Sequence, residues 1–350
     1  MRAGRLFLLV LGVAAAACAP TLGPATPPVE VLVVLDSMDD SLRIIPVDSP
    51  SVVHHILLNT GSGVVAAFAL HNRVAAIGFG DSVTMLDLGL HQVICTQQLN
   101  GKGPIGSLTF ADGGQAYAAT PTTDSVTSID VPHGCGVAQG SVRGRPQGFG
   151  VARGTVFVLV SSKNQCAPPA ADCAIQSWLS TEPLLRDSFP LGPGLARGAV
   201  SASDGFLYVI NAGDNTSNGL LLQVDPLQPG SVNSYTGFGH RPQSIATDGA
   251  DHVFVASPTD GLMVFNVRRH QVEKGAGPLA VALPGPARAL ATDDFGRIYA
   301  LIPGTCAAGA HGIVQPLDST LVAQHPITVG RCPIAIGVTE IPAALYRFDY

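Results

Sequence analysis

The stretch RPQSIATDGADHVFVASPTDGLMVFNV, residues Arg241–Val267, is repeated in outline along most of this 350-residue chain. It reads as a turn, an apolar strand, an Asp-Gly turn, a second strand, a polar break and a third strand. The same order returns in GPIGSLTFADGGQAYAATPTTDSVTSIDV (Gly103–Val131), and PARALATDDFGRIYALI (Pro286–Ile302) repeats its first two-thirds. A fixed period of this size is typical of repeat architectures. Because each unit supplies about four short strands and no convincing helix, the pattern predicts a β-propeller.

The number of units predicts the number of blades. Six complete units follow one another at residues 61–99, 103–140, 144–190, 194–236, 239–283 and 285–328. Two incomplete pieces remain, three strands within Val29–Leu58 and one innermost strand in Gly330–Val338. Together they complete one further blade, and closing the ring in this way hides the sheet edges of an open array. We therefore predict an all-β, seven-bladed propeller over residues 29–350, closed non-covalently between its N- and C-terminal strands.

The first residues form a charged-then-apolar leader. Two arginines precede the apolar run Leu6–Val13, and small residues lead to Cys18. The leader is too short for a comfortable transmembrane span, and AAAC resembles the bacterial lipoprotein signal, in which the cysteine is lipidated; a plain secretory signal is the alternative. We predict a signal peptide over residues 1–17, lipidation at Cys18 and a Pro-rich tether over residues 18–28. The protein would then be exported to the bacterial cell envelope and lipid-anchored to a membrane, facing the periplasm or the cell surface.

The composition suits an exported all-β body. The chain has 40 Gly and 27 Pro, 46% of its residues are hydrophobic and only 13% are charged, as expected for buried strands joined by tight turns. Without the two leader arginines it has 17 basic and 25 acidic residues, a formal charge of −8. No basic domain suits nucleic acid, so we expect no nucleic-acid partner. We expect a monomer that contacts the membrane through its lipid anchor only.

Several repeated positions have a recognisable character. One is aromatic and should pack between neighbouring blades: Tyr117, Phe157, Tyr208, Phe254 and Tyr299. The segments DSVTSIDV, GDSVTMLDL and DDSLRIIPVD, at residues 124–131, 80–88 and 39–48, resemble the YVTN-type propeller repeat, as do RPQSIA and DGFLYVINA. That family comprises exported or surface-associated seven-bladed propellers, often of unassigned function. The resemblance covers residues 29–340 and implies the fold, but it says little about activity because the shared residues belong to the scaffold.

Six cysteines besides Cys18 predict disulfides in an exported chain, although six thiols allow 15 pairings. Topology reduces the choice. One pair flanks a single loop, a second lies in loops on one face where a bridge would hold the closing strand, and a third lies near the outer edges of neighbouring blades. The predicted bridges are Cys166–Cys173, Cys306–Cys332 and Cys95–Cys135.

No catalytic motif stands out. The ten histidines are scattered, and the sequence contains no HExxH, GxSxG or phosphate-loop pattern. The thiols lack metal-site spacing, and the segment Asp214–Asn218 lacks the regular carboxylates of a calcium loop. Propeller lactonases of the gluconolactonase type need an axial Glu with Asn and Asp ligands, for which only Asn211 and Asp214 are candidates. We predict no catalytic residue, no metal and no cofactor; a metal-dependent lactonase or lyase is the alternative function.

Basic residues recur at or beside the start of the innermost strand in most units. They are Lys102, Arg145, Arg197, His240, Arg241, Arg288 and Arg331. On a propeller these turns share one face and surround the central channel, so they would focus positive charge at one mouth of an acidic protein. Arginine there suits carboxylate or phosphate; the alternative is that these turns simply tolerate basic residues. We predict a binding or scaffold module that takes an anionic small molecule or a protein partner at this mouth.

Overall fold

The computed structural model describes residues 26–58, 65–99, 103–161, 174–179, 182–192, 194–213, 218–307 and 309–346. The predicted signal peptide and most of the tether lie outside these residues, as do Cys18, Lys102, Cys166, Cys173 and Asp214. Within the described part, no helix is long and apolar enough to cross a membrane.

The described residues form 28 short β-strands and two 3-10 turns, Val131–His133 and Gly277–Leu279. The strands up to residue 190 are β1 (Val29–Asp36), β2 (Ser41–Pro46), β3 (His54–Leu57), β4 (Val65–His71), β5 (Val74–Phe79), β6 (Ser82–Asp87), β7 (Gln92–Gln98), β8 (Ser107–Phe110), β9 (Ala116–Thr120), β10 (Ser125–Asp130), β11 (Gly136–Ser141), β12 (Arg145–Ala152), β13 (Thr155–Ser161), β14 (Ala174–Leu179) and β15 (Glu182–Pro190). The later strands are β16 (Ala196–Ser201), β17 (Leu207–Asn211), β18 (Leu220–Asp225), β19 (Gln228–Tyr235), β20 (Ser244–Thr247), β21 (His252–Ser257), β22 (Gly261–Asn266), β23 (Gln271–Lys274), β24 (Ala289–Thr292), β25 (Ile298–Ile302), β26 (Ile313–Leu317), β27 (Ile327–Thr328) and β28 (Pro333–Ile341).

The described strands make seven four-stranded antiparallel sheets. Six use consecutive strands: sheet 2 is β4–β7, sheet 3 is β8–β11, sheet 4 is β12–β15, sheet 5 is β16–β19, sheet 6 is β20–β23 and sheet 7 is β24–β27. Sheet 1 has the order β28-β1-β2-β3, with Val31 opposite Thr339 and Leu35 opposite Ala335. The first strand of each sheet contacts the first strand of the next, from β4 through β24 to β28 and back to β4. The prediction of an all-β propeller is confirmed.

The core lies between neighbouring sheets. In β1 all five residues of Val31–Leu35 are fully buried, because a sheet covered on both faces needs a continuous apolar run rather than an alternating one. The five repeated aromatic residues are also buried, each in a different hydrophobic cluster. Tyr208 of sheet 5, for example, packs with Val253 and Phe265 of sheet 6, its ring centroid 5.6 Å from that of Phe265. Their predicted position between neighbouring sheets is confirmed.

Two of the three predicted disulfides are confirmed. Cys95 of β7 bonds Cys135, which precedes β11, so this bridge joins the outer strands of sheets 2 and 3. Cys306 bonds Cys332 with their Cα atoms 4.6 Å apart, and this bridge ties the start of β28 to the loop after β25. The third predicted pair, Cys166–Cys173, lies outside the described residues.

Hydrogen bonds and an ion pair also fix the start of β28 against the loop that follows β1. The backbone N–H and the hydroxyl of Ser37, just after β1, both donate to the carbonyl oxygen of Cys332, at 3.3 and 2.9 Å. Nearby, the Arg331 guanidinium lies 2.6 Å from a carboxylate oxygen of Asp39. The closing strand is therefore held by a backbone ladder, a disulfide and an ion pair at once.

Candidate functional site

The innermost strands share an irregular start. In sheets 4 and 5 the strand pairing skips one residue, Gln147 between Pro146 and Gly148, and Arg197 between Ala196 and Gly198. Such a β-bulge turns one side chain away from the regular alternation of the strand. In each of the other sheets, the equivalent residue of the innermost strand is either skipped as well or directly precedes the first paired residue. We call this residue the bulge position. From sheet 2 round to sheet 1, it is occupied by Ala66, Gly106, Gln147, Arg197, Gln243, Arg288 and Ile334.

The bulge position explains how the basic residues differ from one another. Arg197 and Arg288 occupy it. Arg145 and Arg241 lie two residues earlier, in front of a buried proline, and His240 and Arg331 lie three residues earlier, in the turn. The described members of the predicted set fall into these three positions, which have different surroundings, and Lys102 lies outside the described residues.

The guanidinium group of Arg331 is neutralised by an ion pair with Asp39. Its guanidinium and its backbone N–H both bond Asp39, the latter at 2.9 Å. Burial raises the pKa of the Asp39 carboxyl, but the bonds and charge of Arg331 outweigh this and the pKa is lowered overall. This arginine therefore belongs to the closure of sheet 1 rather than to a group of uncompensated charges, which differs from its predicted role.

His240 also makes structural bonds. Its backbone N–H donates to Asp260 at 2.8 Å, and its carbonyl oxygen accepts from the Ser257 hydroxyl at 2.7 Å. The residue is exposed and directly precedes Arg241 in the chain. The turn is thus fixed through its backbone, while the imidazole stays in contact with solvent.

Four arginines at or beside the starts of the innermost strands have no partner among the described residues. They are Arg145, Arg197, Arg241 and Arg288, one from each of sheets 4 to 7, and all four are exposed. Every other arginine whose side chain the structure describes has a hydrogen-bond, ion-pair or other electrostatic partner: Arg43, Arg73, Arg143, Arg153, Arg268, Arg269, Arg297 and Arg331. Among the described side chains, the unpartnered arginines therefore all lie at or beside the starts of the innermost strands of sheets 4 to 7.

Two of these arginines influence each other. Burial among surrounding protein atoms, and then the positive charge of Arg241, lower the pKa of the Arg197 guanidinium. Arg197 is nevertheless solvent-exposed. Like charges held close together repel one another, and a bound anion would relieve that repulsion.

Close packing of the innermost strands brings the arc together. A Cβ atom on Gly148 of sheet 4 would lie 3.3 Å from the carbonyl oxygen of Arg197 in sheet 5. A Cβ atom on Gly198 would lie 3.2 Å from the Ile245 side chain in sheet 6. Glycine at these two positions lets the innermost strands of sheets 4, 5 and 6 (β12, β16 and β20) approach one another closely near the bulge position.

The residues considered for metal chemistry have other roles or lie outside the description. Asn211 is buried, and its amide bonds the carbonyl of Leu191 and the N–H of Gly213, so it fixes a loop. Asp214 is not among the described residues. Within the described ranges, no group of three His, Cys, Asp or Glu side chains is placed to hold a metal ion.

Comparison with known proteins supports the fold. No family model matches the chain, and no curated protein matches its sequence. Kuenenia stuttgartiensis hydrazine synthase is similar over 83% of this chain and 93% of its own, with a TM-score of 0.66 and 11% identity. A functionally unknown protein from Desulfotomaculum acetoxidans covers 88% of this chain and 98% of its own (TM-score 0.65, 12% identity). A catalytically inactive virginiamycin B lyase from Staphylococcus aureus with quinupristin covers 77% and 87% (TM-score 0.58, 11% identity). At these identities the likeness shows the β-propeller fold alone.

Proposed function

We propose that this protein is an anion-binding β-propeller module whose ligand sits at the mouth of the central channel. The observation that carries the proposal is that, among the described side chains, the unpartnered arginines are Arg145, Arg197, Arg241 and Arg288. Guanidinium groups present several N–H donors in a fixed fork, which matches carboxylate and phosphate oxygens. Their placement at or beside the starts of the innermost strands of four neighbouring sheets favours a ligand with more than one anionic oxygen.

The proposal is tested by titrating the purified protein with citrate at low ionic strength, by calorimetry. Replacing Arg197 and Arg241 by Gln should weaken binding at least about tenfold, because a hydrogen bond to a charged group contributes roughly 1.5–3 kcal/mol. Binding to the wild type should also weaken as salt is added, since mobile ions screen exposed charges.

A matched control removes the same charge elsewhere. Arg268 and Arg269 lie in the turn between β22 and β23, at the end of sheet 6 away from the mouth, with side chains 76% and 70% exposed. Replacing both by Gln should leave citrate affinity within about twofold of wild type, because rim charges far from a site act only through a screened field. Equal losses in the two double variants would reduce the effect to net charge and contradict a site at the mouth.

The enzyme alternative rests on the likeness to virginiamycin B lyase, and propellers host both binding proteins and enzymes. A metal-dependent lactonase or lyase would need a ligand set that draws on residues outside the described ranges, such as Asp214. Metal analysis of the purified protein tests it: a stoichiometric divalent ion would favour the enzyme over the anion-binding module.

We also propose that the seven sheets act as seven blades of one YVTN-type ring, closed between the terminal strands. Two observations support this: sheet 1 combines the C-terminal strand β28 with the N-terminal strands β1 to β3, and each innermost strand contacts the next. The leader sequence supports export to the bacterial envelope with a lipid anchor at Cys18 and a partner or ligand met there. Cys18→Ser should release the protein from the membrane fraction; equal partition of variant and wild type would contradict lipidation.

A further inference from the structure

The bulge position divides the mouth into two unlike arcs. Going round the ring from sheet 4 to sheet 7, it is occupied by Gln147, Arg197, Gln243 and Arg288. From sheet 1 to sheet 3 it is occupied by Ile334, Ala66 and Gly106, none of which has a side chain that hydrogen-bonds. We call the first set the polar arc. Amide and guanidinium alternate along it.

The two glutamines of the polar arc are as unpartnered as its arginines. Gln147 is half-buried and Gln243 is exposed, and within the described part of the chain neither amide has a hydrogen-bond partner. By contrast, Gln223 in the interior bonds the hydroxyls of Tyr208 and Tyr235 and the amide of Asn233. The amides at the mouth are therefore open to a ligand in the same way as the guanidinium groups.

The chemistry of these side chains limits the ligand. Arginine only donates hydrogen bonds, whereas a glutamine amide both donates and accepts. An anion made of acceptor oxygens alone would satisfy the arginines but offer no donor to either glutamine carbonyl oxygen. A ligand that carries O–H or N–H groups next to its negative charge would use both the donors and the acceptors of the polar arc.

We propose that Gln147 and Gln243 determine specificity, and that the ligand is a polyhydroxylated organic acid of the uronic-acid type. This inference rests on the proposed anion-binding function and adds the ligand class to it. The carboxylate would lie against Arg197 and Arg241, and hydroxyl groups on either side would bond the two amides. The ligand would sit off-centre, on the side of sheets 4 to 7.

Three probes separate charge from hydroxyl recognition. D-glucuronate has both, cyclohexanecarboxylate is a six-membered-ring carboxylate without hydroxyl groups, and D-glucose has hydroxyl groups without the charge. With wild-type protein in calorimetry, glucuronate should bind at least about fivefold more tightly than cyclohexanecarboxylate, since two hydrogen bonds to the amides add to the ion pairs. Glucose should bind more weakly than either.

The decisive variant is Gln147→Met with Gln243→Met, which keeps side-chain length and removes the amides. The affinity of the variant for glucuronate should fall to within about twofold of its affinity for cyclohexanecarboxylate. Its affinity for cyclohexanecarboxylate should equal that of the wild type. Circular dichroism and the unfolding temperature of the variant check that it folds, and Gln147→Leu with Gln243→Leu repeats the test if it does not.

Failure of this inference differs from failure of the proposed function. Equal binding of the two carboxylates by the wild type, or a glucuronate preference that survives loss of both amides, would overturn the role of the glutamines and leave the anion site standing. No binding of either carboxylate would overturn the ligand class, and the citrate titration would then decide the anion site separately.

Discussion

At the scale of single residues, Asp36 is a buried acid in an unusual environment. Its side chain is fully buried at the end of β1, where it is ion-paired with Arg43. Burial raises the pKa of the Asp36 carboxyl to about 6, against the opposing effect of Arg43. Its second carboxylate oxygen has no hydrogen-bond partner among the described residues. This carboxylate lies where β1 pairs with β28, opposite Pro333.

The raised pKa predicts a pH dependence of stability. The folded protein holds the Asp36 proton more tightly than the unfolded chain, whose value is near 3.8, so the associated stability is present below that pH and lost as pH rises through about 6. The loss should be on the order of 2 kcal/mol in the free energy of unfolding. Denaturant unfolding of wild type and Asp36→Asn between pH 4 and 7 measures it: the wild type should lose stability relative to the variant. Parallel curves would contradict the raised pKa.

The ion-pair partners of individual residues could not be predicted from the sequence. The basic residues at the mouth were predicted from their place before the innermost strands, but the pairing of Arg331 with Asp39 joins residues 292 positions apart. A contact of that kind depends on the pairing of β28 with β1 and leaves no local signal. The unpartnered state of Arg145, Arg197, Arg241 and Arg288 was likewise unreadable, since it depends on where every acid lies.

At the scale of strands, the sequence predicted elements well and register poorly. The observed sheets 2 to 7 fall within the predicted units, allowing for a residue at one unit end, because turn residues and apolar runs are local signals. The bulge position was missed. A skipped residue shows only when a strand is aligned with its partner, so Gln147 and Gln243 did not stand out as candidate ligand contacts.

The two described disulfides allow a test of which contacts hold the closing strand. They span similar lengths of chain, 26 residues for Cys306–Cys332 and 40 for Cys95–Cys135. Replacing either pair by Ser should lower the free energy of unfolding by about 3 to 4 kcal/mol, because loop-closure entropy depends weakly on length.

Hydrogen exchange distinguishes the two variants. Loss of Cys306–Cys332 should speed exchange of the β28 amides that pair with β1, because the bridge lies at the start of β28. Loss of Cys95–Cys135 should leave those amides protected. Equal effects of the two variants on β28 would mean that the bridge at Cys332 has no particular part in closure.

At the scale of the whole molecule, the chain forms a propeller whose mouth is not symmetric. Sheets 4 to 7 contribute four unpartnered arginines and two open amides, while sheet 1 contributes the paired Asp36, Asp39, Arg43 and Arg331. The charges of sheet 1 pair with one another, whereas the four arginines of sheets 4 to 7 have no partner among the described residues. The repeat explains the fold, and the departures from the repeat explain the candidate site.

The most direct test of the anion site is anomalous diffraction from crystals soaked in selenate. We predict an anomalous peak at the mouth, within hydrogen-bond distance of the guanidinium groups of Arg197 and Arg241, that disappears when both are replaced by Gln. Arg268 and Arg269 serve as an internal reference for weak surface binding. Selenate at these outer arginines with none at the mouth would contradict the central claim.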